Sequence, residues 1–291
     1  MRAWPVLLAL LAVTAQAPPQ SGTRVLTSAR ALQPGEVVEF TITTAKPGYS
    51  VHLDMFDRAW PTFQVDATTW RAWVGIDLET GPRTYTAVIA VDTGSGQPTR
   101  LTRRLSIVTK SFGTRTLMVD EGFVNPPAEV AARIASESSR LAELWRRVPT
   151  PHAWSDSFVV PVPEPANSAF GKRSVFNGQL RNSHTGADFP SPAGAVVSAP
   201  NAGTVVLAED LYFSGNTVIL DHGLGMFSTF AHLSEIGVRT GDVVVPGRAI
   251  GRVGATGRVT GPHLHWAVRL NGARVDPLSL IWVTAKRAPA K

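Results

Sequence analysis

Gly203-Thr204-Val205-Val206-Leu207, Asn216-Thr217-Val218-Ile219-Leu220, Val243-Val244-Val245, Ile250-Gly251-Arg252-Val253 and His265-Trp266-Ala267-Val268 follow one another as short, mostly β-branched runs. Val196-Val197 precedes them, and glycines punctuate nearly every one. Such runs read as strands, because branched side chains suit a pleated surface and glycine supplies the turns between. The pattern predicts a compact antiparallel sheet domain over residues 166–285, a normal size for a unit that folds on its own.

Upstream, Val160-Pro161-Val162-Pro163-Glu164-Pro165 reads as an extended connector. Before it, Asn125 is placed to cap a helix and Pro126 fits a first helical turn. Val130, Ile134, Leu141, Trp145 and Val148 keep three-to-four spacing, so the helix is predicted to run to Val148, with Arg133 and Arg140 facing water and the apolar stripe packing between two domains. Residues 111–165 thus form a helix and a Pro-rich linker. From Gly22 to Val108 apolar residues alternate instead, as in Val38-Phe40-Ile42, Val51-Leu53-Met55 and Ala87-Ile89-Val91, with Pro34-Gly35, Pro47-Gly48 and Gly81-Pro82 as turns. That texture predicts an immunoglobulin-like β-sandwich over residues 22–110, with Trp60, Trp70 and Trp73 in its core. The fold class is therefore mainly β.

The first residues carry Arg2, the apolar run Val6–Val13 and the small-residue exit Thr14-Ala15-Gln16-Ala17. The run is too short to span a bilayer, and residues 1–17 read as a secretory signal peptide, which implies export to a periplasm or cell envelope. The 291 residues are 44% hydrophobic and 17% charged, which excludes a disordered chain. With no cysteine, a disulfide framework, thiol catalysis and thiolate metal sites are excluded, so any metal must be held by His, Asp or Glu. The net charge of +6 suits polyanionic surroundings. Nucleic acid is disfavoured, since no basic helix or stacking motif accompanies that charge.

Five of the seven histidines, His184, His222, His232, His263 and His265, fall in the C-terminal region. His184-Thr185-Gly186-Ala187-Asp188 sets a carboxylate four residues after an imidazole, and Gly186 lets the loop fold back. His263 and His265, two apart, project from one face of a strand. Ligands of the His, Asp, His type leave zinc an open position for water, which a hydrolytic site needs. His222 sits at a hairpin turn and reads as structural, while His52 and His152 carry no functional signal.

Phe170-Gly171, His184-Thr185-Gly186-Ala187-Asp188, Ala231-His232-Leu233 and Gly261-Pro262-His263-Leu264-His265, with Ala199–Val205 and Gly254-Ala255-Thr256-Gly257 between, resemble the lysostaphin and LytM type of zinc endopeptidases that cut peptidoglycan. The resemblance spans about Ala166 to Trp282. It implies that His184, Asp188 and His265 hold Zn2+ and that His232 and His263 form the catalytic pair. It also implies an endopeptidase acting on peptidoglycan peptide cross-bridges, with the D-alanine to diaminopimelate bond suited to the upstream region. Phe230 stands where that family usually has tyrosine, so no hydroxyl acts from this position. A catalytically inactive wall binder or amidase activator, and a D-alanyl-D-alanine carboxypeptidase, are the competing expectations.

Overall fold

The computed structural model describes residues 22–285 apart from 48, 95, 149–150, 155–156 and 168–169. The expected leader at residues 1–17 lies outside the described residues. The N-terminal strands are β1 (Arg24–Ala29), β2 (Val37–Thr43), β3 (Ser50–Met55), β4 (Arg58–Trp60), β5 (Phe63–Gln64), β6 (Thr69–Gly75), β7 (Arg83–Asp92) and β8 (Thr99–Ile107). They form two four-stranded antiparallel sheets, ordered β1-β2-β6-β5 and β4-β3-β7-β8. The period-two pattern explains the layering: Phe40 and Ile42 from one sheet, and Leu53, Met55, Ile89 and Val91 from the other, are buried in one core. Trp60 and Trp73 are buried and Trp70 packs partly against the same core, as the sandwich reading requires.

The connecting region departs from its expected form. β9 (Thr114–Leu117) comes first, then α1 (Glu121–Val124), a 3-10 turn at Ala128–Val130, and α2 (Ala131–Leu144). Asn125 does not cap the long helix. It ends α1, which Asp120 caps through the Gly122 N–H, and Asn125 takes φ −123° and ψ 81°. Pro126 and Pro127 are the reason, because a residue before proline is pushed out of the helical region. The helix also stops at Leu144 instead of Val148. Nor does it fill a gap between domains: Leu144 packs with Leu207, Leu211, Ile219 and Phe227 on the C-terminal sheet. Arg133 and Arg140 face solvent as expected, but pair there with Asp210 at 2.9 Å and Glu209 at 2.5 Å. Exposed pairs of this kind contribute about 0–1 kcal/mol each.

The C-terminal half holds β10 (Arg173–Phe176), β11 (Gln179–Ser183), β12 (Gly186–Phe189), β13 (Val196–Ser198), β14 (Gly203–Leu211), β15 (Gly215–Gly223), β16 (Met226–Ile236), β17 (Val243–Val244), β18 (Ala249–Val253), β19 (Leu264–Leu270), β20 (Ala273–Val275) and α3 (Pro277–Thr284). A nine-stranded antiparallel sheet follows β12-β19-β16-β15-β14-β17, with β13 on β18, β18 on β16 and β20 on β19. Its fully buried centre includes Phe189, Phe230, Leu220 and Trp266, the last two rings lying parallel at 6.5 Å. A smaller sheet ordered β11-β10-β9 stands beside it, and β9 joins parallel to β10 from far upstream in the chain.

The two β regions share one continuous core, with Trp73 stacked on Trp154 at 5.1 Å. Charge reinforces the contact. Arg30 bridges Glu36 at 2.9 Å and Asp276 at 2.6 Å, while the Val37 N–H donates to Ser279 Oγ at 2.8 Å. Arg274 makes a fork to Asp77 at 2.6 and 3.1 Å. Gly75 leaves room for β20: a Cβ there would lie 2.8 Å from Val275 and 2.9 Å from Ala273. Among the described residues no helix is long and apolar enough to cross a membrane.

Candidate metal centre and catalytic cleft

β12 and β19 set the site through register, for Asp188 pairs directly with His265, and Ala231 on β16 flanks His265 from the other side. Directly opposed residues bring their side chains together on one face. Gly186 permits the close approach of these strands: a Cβ would stand 2.5 Å from the Trp266 carbonyl oxygen and 2.7 Å from the His265 ring. His184 precedes β12 and is anchored by its N–H to the Lys172 carbonyl at 2.9 Å.

Three donor atoms converge. His184 Nε2 lies 2.9 Å from Asp188 Oδ1 and 2.9 Å from His265 Nδ1, and His265 Nδ1 lies 2.9 Å from Asp188 Oδ1. Burial pulls His184 down to about 4, outweighing its hydrogen bond to Asp188, so its imidazole is neutral near pH 7. Burial opposes the charge on Asp188, yet hydrogen bonds with His184 and His265 prevail and hold this carboxyl well below the usual carboxylate range. A carboxylate oxygen and the lone pairs of imidazole nitrogens so close together repel unless a cation or shared proton lies among them. The other nitrogen of His184, Nδ1, is buried without a hydrogen-bond partner among the described residues. The donor set fits a divalent metal of the zinc type.

His232 and His263 stand beside this triangle, with ring centroids 5.0 Å apart and His232 5.9 Å from His265. Each is oriented the same way. His232 Nδ1 donates to the Thr256 carbonyl and His263 Nδ1 to the Gly261 carbonyl, both at 2.9 Å, which leaves each Nε2 for chemistry. His263 Nε2 is 3.8 Å from Asp188 Oδ1. His232 adopts φ +65° at a bulge in β16, where Asn216 pairs with Leu233 but Val218 with Phe230. A bulge re-aims a side chain out of the regular alternation, and this one turns His232 toward the cleft. Burial, then the proximity of His265 and His263, pulls His232 down to about 3. Thus all five residues singled out in the sequence meet in one place.

Sequence reading missed Arg115. Its Nη1 donates to Asp188 Oδ2 at 2.9 Å and its Nε to Ser174 Oγ at 3.1 Å, so β9 supplies a cation that holds the carboxylate from the side opposite the histidines. A separation of 73 residues offers no local signal for such a pair. Asn167 adds a backbone bridge, donating its N–H to the Asp188 carbonyl at 2.8 Å. These groups open into a cleft of about 460 Å³ lined also by Phe176, Phe213, Arg258 and Thr260.

The remaining histidines lie apart from the cleft. His222 is fully buried, with Nδ1 2.7 Å from the Ala202 carbonyl and Nε2 2.9 Å from Ser228 Oγ, the structural part expected of it. His152 stacks on Trp154 at 4.5 Å, and His52 points to solvent from β3.

Residues 182–277 match the model of Peptidase family M23. A crystal structure from Pseudomonas aeruginosa assigned to peptidase M23 is 33% identical, with 87% of this chain and 96% of that one covered at a TM-score of 0.68. The peptidoglycan DD-endopeptidase ShyA of Vibrio cholerae is 38% identical over 108 residues, and the DD-carboxypeptidase/endopeptidase Mpg of Neisseria meningitidis 39% identical over 107. Each of these two matches covers 37% of this chain and only 25% of the relative's length. The likeness to the Pseudomonas structure, by contrast, extends over most of both chains, and on that ground the chain belongs to peptidase family M23.

Proposed function

We propose that the protein is a zinc-dependent endopeptidase that hydrolyses peptide cross-links of bacterial peptidoglycan, with the D-alanine to diaminopimelate bond as its target. The observation that carries this reading is the meeting of three ligand atoms at 2.9 Å beside two imidazoles whose Nδ1 atoms are both tied to backbone carbonyls. His184, Asp188 and His265 would hold the ion. When bound, zinc supplies Lewis acidity toward water and toward the scissile carbonyl. The chain's own residues do the rest. His232, kept neutral by its burial, and His263, each with Nδ1 on a backbone carbonyl and Nε2 left for chemistry, take and return protons, and the protonated partner donates to the oxygen on which charge develops. The names of ShyA and Mpg support a peptidoglycan substrate, and a basic surplus favours approach to an anionic wall. Action there requires export, in line with the leader read at residues 1–17.

The test uses the full chain on purified sacculi. Near-stoichiometric zinc, release of muropeptide monomers, loss of that release in chelator and its return on adding zinc are the expected results. A metal-free protein that leaves cross-links intact would instead be a wall binder. Mpg is named as a carboxypeptidase as well, so free D-alanine is the product that marks that second activity.

Arg115 is a positioning residue in this scheme. Arg115→Met keeps the length of the stem but removes the donor to Asp188 Oδ2. We expect zinc affinity, measured by chelator competition, to fall about 10- to 100-fold, with the far-ultraviolet circular dichroism unchanged. Wild-type affinity in this variant would show that the ion pair does not order the ligand.

A further inference from the structure

Among the described residues that line the cleft, Arg258 is a cation with no assigned work. Arg258 follows Gly257 in the loop after β18, and its guanidinium carbon lies 4.6 Å from the Phe176 ring centroid and 4.7 Å from that of Phe213. All three side chains line the cleft. The loop is fixed: the Arg258 N–H donates to the Phe213 carbonyl at 2.8 Å, and Thr256 Oγ1 accepts from the Asn216 N–H and donates to the Leu233 carbonyl, both at 2.9 Å. The same Thr256 holds His232 through its carbonyl. The loop that carries Arg258 is thereby tied to His232.

Its neighbours are cations too. Arg115 is engaged by Asp188 and Ser174, and Arg181 by the Val124 carbonyl and Gln179. Among the described residues the Arg258 guanidinium has neither a hydrogen-bond nor a carboxylate partner. Burial first, then the nearness of Arg181 and Arg115, pulls it below its ordinary value. A guanidinium stacked on aromatic rings keeps its in-plane N–H donors at the edges, in a fork that matches a carboxylate. Asp188, the carboxylate of this cleft, is already engaged by Arg115 and the two imidazoles.

The geometry points to Arg258 as the receptor for a substrate carboxylate: the cleft takes a cross-bridge peptide bearing a free carboxyl next to the scissile bond, not a neutral glycine bridge. This rests on the proposed function for the word substrate, but the binding itself is measured independently of hydrolysis. The probe is a diaminopimelate tripeptide without a cross-link, which lacks the D-alanine to diaminopimelate bond. It is offered to the zinc-loaded full chain with its carboxyls free, or with the diaminopimelate carboxyl at the cross-linking (D) centre or the D-glutamate carboxyl separately amidated.

We expect amidation at diaminopimelate to weaken binding about 10- to 100-fold in calorimetry, the span of one charge-assisted contact. Amidation at D-glutamate should change it less than about twofold; the reverse order would overturn the placement of the carboxylate next to the scissile bond. Arg258→Gln should bind free and amidated peptides alike, and Arg258→Lys should retain part of the preference. Equal binding of every peptide by the wild type, or no binding at millimolar concentration, overturns the inference even if the Gln variant fails to fold. Hydrolysis of sacculi without this preference leaves the endopeptidase reading standing and removes only Arg258. Preference without hydrolysis does the opposite.

Discussion

Asp188→Asn is expected to reduce bound zinc from about one per chain to almost none. The substitution keeps the shape of the side chain but removes the charge that Arg115, His184 and His265 all face. One arm of the amide is an N–H2 donor, so it can meet either Arg115 or the imidazole nitrogens as an acceptor, not both. Loss of an outer contact to a metal ligand costs about 10- to 100-fold in affinity, and loss of the ligand's own charge should exceed that range. Hydrolysis of sacculi should fall to background. The sandwich and the large sheet do not depend on this side chain, so circular dichroism should be preserved. Zinc bound by the Asn variant with wild-type affinity, measured by metal analysis after chelator competition, would remove the carboxylate from the ligand set.

His263→Ala separates chemistry from binding. His263 Nε2 stands 3.8 Å from Asp188 Oδ1, outside the 2.9 Å triangle, and its side chain is a fifth exposed, so truncation leaves little buried space. The expected result is a zinc content equal to wild type with turnover lower by about two to three orders of magnitude, the usual cost of one contact to developing charge. His184→Ala provides the contrast, because there zinc and turnover should disappear together. Cleavage at the normal rate by the His263 variant would end its role as a proton carrier.

Much of the site was legible because its parts are local or strictly periodic. His184 and Asp188 sit four residues apart around Gly186, and His263 and His265 two apart at the start of a strand, so spacing marked each pair as a candidate, and the resemblance to the lysostaphin and LytM type joined them and added His232. Strand pairing then joined the pairs through the Asp188 to His265 register, which no single segment encodes. The sandwich was readable for the same reason of period two. Where prolines competed with helical spacing, at Asn125-Pro126-Pro127, the local backbone restriction won and the helix came out shorter. Arg115 was invisible because a parallel pairing between β9 and β10 brings it in from a stretch that reads as linker. A fragment beginning at residue 166 would leave that arginine behind, together with Leu117 and Val119 on the cleft wall.

The bonds from Arg30 to Glu36 and Asp276, and from Arg274 to Asp77, have a mechanical meaning. They fasten the sandwich to the half that carries His184, Asp188 and His265 as a beam is bolted to a bracket. Whatever the outer strands rest against, the His-Asp-His cluster stays at a set distance from it, so reach is measured by a ruler and not by a leash.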